Sequence, residues 1–207
     1  MIRAILCDID GVLIRGQSFK DVLERDHGID TAVTATFFDT VFADCQLGTA
    51  DLRTELAAVL PAWGWTSSVD DYLRQWFAAE SNADQELLTL IGRYRGAGLG
   101  CYLATMQEPR RADFMLRELG LADHFDGAFV SHAIGHAKSS PAFFHTVLDQ
   151  LPDLRPHELV LIDDQHANVL SAREAGLHGI EFTTVARLRR SVEALIADQS
   201  YAKGARR

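Results

Sequence analysis

The sequence predicts an α/β fold: a doubly wound parallel sheet, Rossmann-like in its layering, with a second, helical subdomain inserted near the start. Short apolar runs with little polar alternation recur along the chain, as strands covered on both faces require. They alternate with helical patterns in the order β-α-β-α-β-α-β-α, the order of a doubly wound sheet. The stretch 16–83 alone breaks the rhythm, with helical patterns and no convincing buried strand.

The strand candidates are residues 2–7, 99–104, 128–130, 159–162 and 179–182. Between them the helix ends are readable. Asn82 suits the cap of a helix whose Leu87, Leu88, Ile91 and Tyr94 share one stripe, with Gly96 or Gly98 as its stop. A second helix carries Phe114, Met115, Leu116 and Leu119 and ends at Gly120. Ser140-Pro141 reads as an N-cap followed by the first helical residue. A helix over 168–175 closes at Gly176, and a last amphipathic one covers 185–197. In the inserted stretch, helices are expected after Ser18, across 37–43, after Thr49 and after the capping-box-like Ser68-Val69-Asp70-Asp71. The predicted division is therefore 1–15 plus 84–207 for the α/β core and 16–83 for a helical cap.

At 207 residues, 47% hydrophobic and 24% charged, the chain can bury a sizeable core. A net charge of −9 argues against an extended nucleic-acid surface while leaving room for a local anion site. No apolar run approaches the ~20 residues of a membrane span. The start reaches Asp8 too soon for the apolar stretch of a signal peptide, so the cytoplasm is expected. Cys7, Cys45 and Cys101 are odd in number and far apart, which suits buried thiols in a reducing compartment.

Ligands of open parallel sheets bind beyond the carboxyl ends of the strands. There the sequence places Asp8 and Asp10 after the first strand, Thr105 at the end of the second, Lys138 past the third and Asp163-Asp164 at the end of the fourth. Crowded carboxylates raise one another's pKa, and a Mg²⁺ ion with its preference for oxygen ligands relieves that. With Lys138 and Thr105 to hold a phosphoryl group, Asp8 suits a nucleophile that forms an aspartyl-phosphate. Asp10, two residues on, suits the acid that protonates the leaving alcohol and the base that later activates water. Gly11 leaves the backbone free to turn sharply beside the phosphate.

These residues lie in four stretches, "CDIDGVL", "CYLATMQ", "GHAKSSPAFF" and "LVLIDDQHANVLSAREAGLHGI". In that order they resemble the haloacid dehalogenase-like superfamily of hydrolases, in its branch with a helical cap. The resemblance spans roughly 1–15 and 84–182; the cap is similar only in position and helicity. It implies that Asp8 is nucleophile and metal ligand, and that Asp10 is general acid/base and binds metal through its backbone carbonyl. It further implies that Thr105 and Lys138 bind phosphate, and that Asp163, assisted by Asp164, ligates Mg²⁺. Members that dehalogenate lack the second aspartate, so Asp10 favours a phosphatase acting on a small phosphorylated metabolite. Two departures stand out: Met106 where such proteins often carry Asn, and Ser139-Ser140 ahead of the displaced Pro141.

Competing readings are a 2-haloacid dehalogenase, a phospho-accepting receiver module and a silent binding protein. A receiver module has its acidic pair first and its lysine last, unlike this chain. Individually, Asp8-x-Asp10-Gly11 suits a turn and Asp163-Asp164 a helix cap. His132 and His136 sit in an expected loop without a helix face to present them to a metal. Cys7 is expected to point away from Asp8 into the core. Trp63, Trp65, Trp76 and Phe77 are expected mainly to fill the cap's own core, with a substrate pocket as the alternative. Arg187, Arg189 and Arg190, with Lys203, Arg206 and Arg207, read as a solvated helix face and tail.

Overall fold

A computed structural model describes residues 1–204, with side chains for 1–197. Its centre is a five-stranded, wholly parallel sheet in the order β3-β2-β1-β4-β5. The strands are β1 (Ala4–Cys7), β2 (Gly100–Thr105), β3 (Gly127–Val130), β4 (Leu159–Asp163) and β5 (His178–Glu181). Each falls within two residues of its expected place. β1 and β4 are buried throughout, because helices cover both faces. β5 is only half-buried, being an edge strand, and so departs from the expected continuous burial.

The pleat of β1 divides the core. Ile5 and Cys7 join one apolar cluster with Leu87, Ile91, Leu103 and Val160, while Ala4 and Leu6 join another with Phe143, Phe144 and Val147. Cys7 thus packs away from the site, as expected, and all three cysteines are free and buried.

Helix α6 (Gln85–Gly96) starts from Asp84, whose carboxylate accepts from Leu87 N; the expected Asn82 lies two residues early. Helix α7 (Pro109–Asp113) widens into a π turn over Phe114–Glu118, an earlier start than the apolar stripe alone suggests. Four later helices follow. They are α8 (Ser131–Ile134), α9 (Pro141–Gln150), α10 (His166–Glu174) and α11 (Val185–Gly204). Ser140 caps α9 as read. Gln165, not either aspartate, occupies the N-cap of α10. The expected tail at Arg206 and Arg207, and the Lys203 side chain, lie outside the described residues.

The inserted stretch holds five helices: α1 (Phe19–His27), α2 (Thr31–Asp39), α3 (Val41–Gln46), α4 (Leu52–Val59) and α5 (Val69–Ala79). Capping boxes at Ser18 and Ser68 start α1 and α5. The single helix expected across 37–43 is broken at Thr40, whose φ of −130° and ψ of −82° are not helical. These helices bury their own cluster, including Phe37, Leu56, Trp63, Trp65, Trp76 and Phe77. The two ends of the stretch meet: Ile14 bridges Ala83, and Asp84 N donates to Leu13 O at 2.8 Å.

Asp51 caps α4 through Thr54 N and Thr54 Oγ1, both 2.8 Å away, and pairs with Arg110 of α7 at 2.7 Å. Those partners, the Thr54 N–H first, lower its pKa to about 2. Asp51→Ala is expected to cost about 1 kcal/mol in denaturant unfolding at neutral pH. A native pKa below the ~3.9 of an unfolded aspartate means this contribution is complete above about pH 4. It fades as the pH falls through about 2, so the gap between variant and wild type should close in acid.

Candidate active site

The strand register assembles the site. Cys7 stands level with Leu103 of β2 and Ile162 of β4, so the residues that follow leave the sheet together at its carboxyl edge. Asp8 N donates to Ile162 O at 3.0 Å, which sets Asp8 beside Asp163. β1 is the central strand, with β2 and β3 on one side and β4 and β5 on the other. The crevice between β1 and β4 is therefore the switch point where such sheets bind ligands.

Lys138 enters from the turn between α8 and α9. Its Nζ lies 2.6 Å from Asp8 Oδ1 and 2.7 Å from Asp163 Oδ2, with the lysine side chain 1% exposed. The other oxygen of Asp163 accepts from Gln165 N at 2.9 Å and Asn168 Nδ2 at 3.0 Å. Thr105 is buried beside them, its Oγ1 accepting from Gln107 Nε2 at 3.2 Å. Asp8, Asp10, Thr105, Lys138 and Asp164 line one cavity of about 260 Å³, with Asp163 fully buried behind them.

One carboxylate oxygen from each of Asp8, Asp163 and Asp164 lies within 4.8 Å of the others. Three carboxylates against one ammonium leave negative charge uncompensated, and the donors are all hard oxygens. That set fits a divalent cation such as Mg²⁺ and does not fit a soft thiophilic metal. Burial and the neighbouring Asp163 raise the Asp8 pKa to about 7, although Lys138 pulls the other way. Burial also opposes the Lys138 charge, but Asp8 and Asp163 outweigh it and raise its pKa. The Asp164 carboxyl is raised mainly by burial.

Asp10 points elsewhere. Its Oδ1 accepts from Arg111 Nη2 at 2.8 Å and its Oδ2 from Gln107 Nε2 at 2.6 Å, so its carboxylate is outside the three-carboxylate group. Arg111 is buried, donates from Nε to Gln107 Oε1 and also pairs with Glu80, each at 3.1 Å. None of Gln107, Arg111, Glu80 or Asn168 was expected at the site. Arg111 had a local signal: it lies four residues before buried Met115, on the inward stripe of its helix.

Met106, one of the two departures, turns its Sδ to the Lys138 backbone N–H at 3.3 Å. His132 lies on the one-turn helix α8 rather than in a loop, and its Nδ1 contacts Gln107 O at 3.0 Å. His136 is exposed. Neither belongs to a group of metal-ligating side chains among the described residues.

Gly11 holds φ at +79°, and a Cβ there would overlap the Asp164 carboxylate. Gly11→Ala is therefore expected to displace Asp164 and cut turnover at least about tenfold, with a destabilisation of about 1 kcal/mol or more from the strained φ. Steady-state kinetics and thermal unfolding of the variant check both.

A model of the haloacid dehalogenase-like hydrolases matches residues 2–176. The chain belongs to that family. Its fold is shared by a family enzyme from Bacteroides thetaiotaomicron, solved in complex with magnesium and inorganic phosphate: TM-score 0.76, 19% identity, 91% of this chain and 99% of that one. A HAD-like family hydrolase from Porphyromonas gingivalis matches with TM-score 0.74 and 21% identity, over 93% and 98% of the two chains. The L-2-haloacid dehalogenase from Xanthobacter autotrophicus, with chloropropionic acid covalently bound, matches with TM-score 0.66 and 20% identity, over 94% and 83%. At these identities the neighbours establish the haloacid dehalogenase-like fold alone. No helix among the described residues is long and apolar enough to cross a membrane.

Proposed function

We propose that this haloacid dehalogenase-like hydrolase is a magnesium-dependent phosphatase that cleaves a small phosphate monoester. The observation that supports it best is the contact of Lys138 with both Asp8 and Asp163, beside a three-carboxylate group and next to Asp10. Magnesium and phosphate in the Bacteroides enzyme agree with that reading.

In this reading Asp8 attacks phosphorus: an Asp8 oxygen forms the new P–O bond as the ester P–O bond breaks. Asp10, protonated and with one oxygen turned from its Arg111 or Gln107 contact toward the substrate, gives that proton to the departing alkoxide and then takes one from the water that cleaves the aspartyl-phosphate, returning Asp8 as a carboxylate. Thr105 donates its hydroxyl, and Lys138 its charge, to the phosphoryl oxygens. Mg²⁺ would be held by the carboxylates of Asp8, Asp163 and Asp164 and the carbonyl of Asp10, and would supply neutralisation of the crowded negative charge. Asn168 and Gln165 fix the orientation of Asp163. Residues 16–83 act as a cap that covers the site and excludes bulk water, a role supported by their separate apolar cluster and by the meeting of their two ends at Ile14 and Ala83.

The test is phosphate release across a panel of metabolite monoesters and phosphopeptides, with Mg²⁺ and with chelator. Turnover of small monoesters that the chelator abolishes is expected. Chloride release from 2-haloacids that survives the chelator would instead establish the dehalogenase reading. A long-lived phospho-aspartate without turnover would point to a signalling module.

A further inference from the structure

A second cavity, of about 580 Å³, opens from Asp10, Gly11, Gln107 and Arg111 toward the inserted helices. It therefore adjoins the acid proposed to protonate the leaving alcohol, and rests on that reading for its place in the reaction. Its far wall is aromatic. Phe38, Phe42 and Trp76 pack against one another with centroids 5.4 to 5.6 Å apart, mostly edge to face. Phe38 and Phe42 are only partly buried, although large rings in a helical cluster are ordinarily covered.

Most polar groups lining this cavity already have hydrogen-bond or ionic partners, the exposed Gln17 amide being the exception among the neutral ones. Both oxygens of Asp10 are taken by Arg111 and Gln107. Glu80 accepts from Phe19 N, from Trp76 Nε1 and from Arg111. Gln46 Nε2 donates to Met106 O, and Arg15 pairs with Asp84. Two cationic groups remain. Arg111 Nη1 has no hydrogen-bond partner but is buried out of a ligand's reach, its guanidinium lying 5.6 Å over the Trp76 ring and 5.9 Å over Phe77. Lys20, at 5.8 Å over the Phe38 ring, has no carboxylate partner among the described residues.

A polyol entering this cavity would lose water from several hydroxyls and find few free partners, a cost that grows with each unpaired group. A planar apolar ring would lose little and gain aromatic contact, and an acceptor or anionic oxygen on it would meet the Lys20 ammonium. We propose that the substrate's leaving group is a planar, largely apolar ring bearing an acceptor or anionic oxygen, seated against Phe38, Phe42 and Trp76 with its oxygen toward Lys20.

Two esters of primary alcohols, 2-phenylethyl phosphate and glucose 6-phosphate, test this at matched leaving-group chemistry. With Mg²⁺ present, kcat/KM is expected to favour the phenylethyl ester about tenfold, and to rise further for its para-carboxylate. Phe42→Ala should reduce the ring-over-hexose ratio about tenfold, mainly through KM. Binding of the corresponding phosphonates, read from tryptophan fluorescence, gives a measure that needs no turnover. A hexose ester hydrolysed as well as the ring ester, or phosphonates bound without ring preference, overturns the inference and leaves the phosphatase reading intact. Ring-selective phosphonate binding with no ester hydrolysed supports the pocket assignment and overturns the phosphatase reading.

Discussion

Asp8→Asn is expected to lower phosphate-releasing turnover by ~10⁴-fold or more while leaving the protein folded. The amide cannot attack phosphorus, yet it keeps the shape of the carboxylate and can still accept from Lys138. Folding should tolerate the change because burial disfavours the Asp8 charge, so a neutral isostere removes a strained ion rather than a favourable one. The same observation has a pH signature. Asp8 titrates near 7 in the native protein against ~3.9 unfolded, so between those values the native state binds more protons. Wild type freed of divalent cation should therefore lose stability as the pH rises from about 4 to about 7. Asp8→Asn should flatten that slope, and denaturant unfolding at several pH values measures it. Near-normal hydrolysis by the variant would remove Asp8 from the chemistry altogether.

Lys138→Met should damage both catalysis and folding. The ammonium is the contact shared by Asp8 and Asp163, whose side chains are 7% and 0% exposed. Removing one member of a buried ionic group leaves the others uncompensated, at about 3–5 kcal/mol. Unfolding at neutral pH should show a loss of that order. Part of it should return at low pH, where the stranded carboxylates are neutralised, and part on adding Mg²⁺, which binds the native state preferentially. Phosphate release should fall at least about 10²-fold, since Lys138 also faces the transferring oxygens in the proposed reaction. A variant as stable as wild type would contradict the buried-pair account even if its activity were gone.

The contrast between these residues and those around Arg111 separates what local sequence encodes from what it does not. The strands were legible because a segment covered on both faces must be apolar throughout, as "AILC" and "LVLID" are. The caps at Ser18, Ser68 and Ser140 were legible because an N-cap acts on backbone two or three residues away. Where two capping residues stand nearby, as with Asn82 and Asp84, local chemistry was ambiguous, and it is Asp84, also tied to Leu13 O through its N–H, that caps α6. Likewise the largely apolar stretch 37–43 was not read as breaking at Thr40, because the rings on either side, Phe38 of α2 and Phe42 of α3, still pack on each other across the turn.

The sequence by itself determined that six polar side chains, Asp8, Asp10, Thr105, Lys138, Asp163 and Asp164, lie at or beyond the carboxyl ends of strands, on one edge of a parallel sheet. Parallel strands all end at the same edge, so strand order and position suffice for that. Only the tertiary structure decided that Asp10 turns to Arg111 and Gln107 and that Glu80 shares that arginine. It alone set an aromatic wall opposite them. Those contacts join residues dozens to a hundred positions apart through side-chain packing between the inserted helices and the sheet, an interaction with no period and no local motif to announce it.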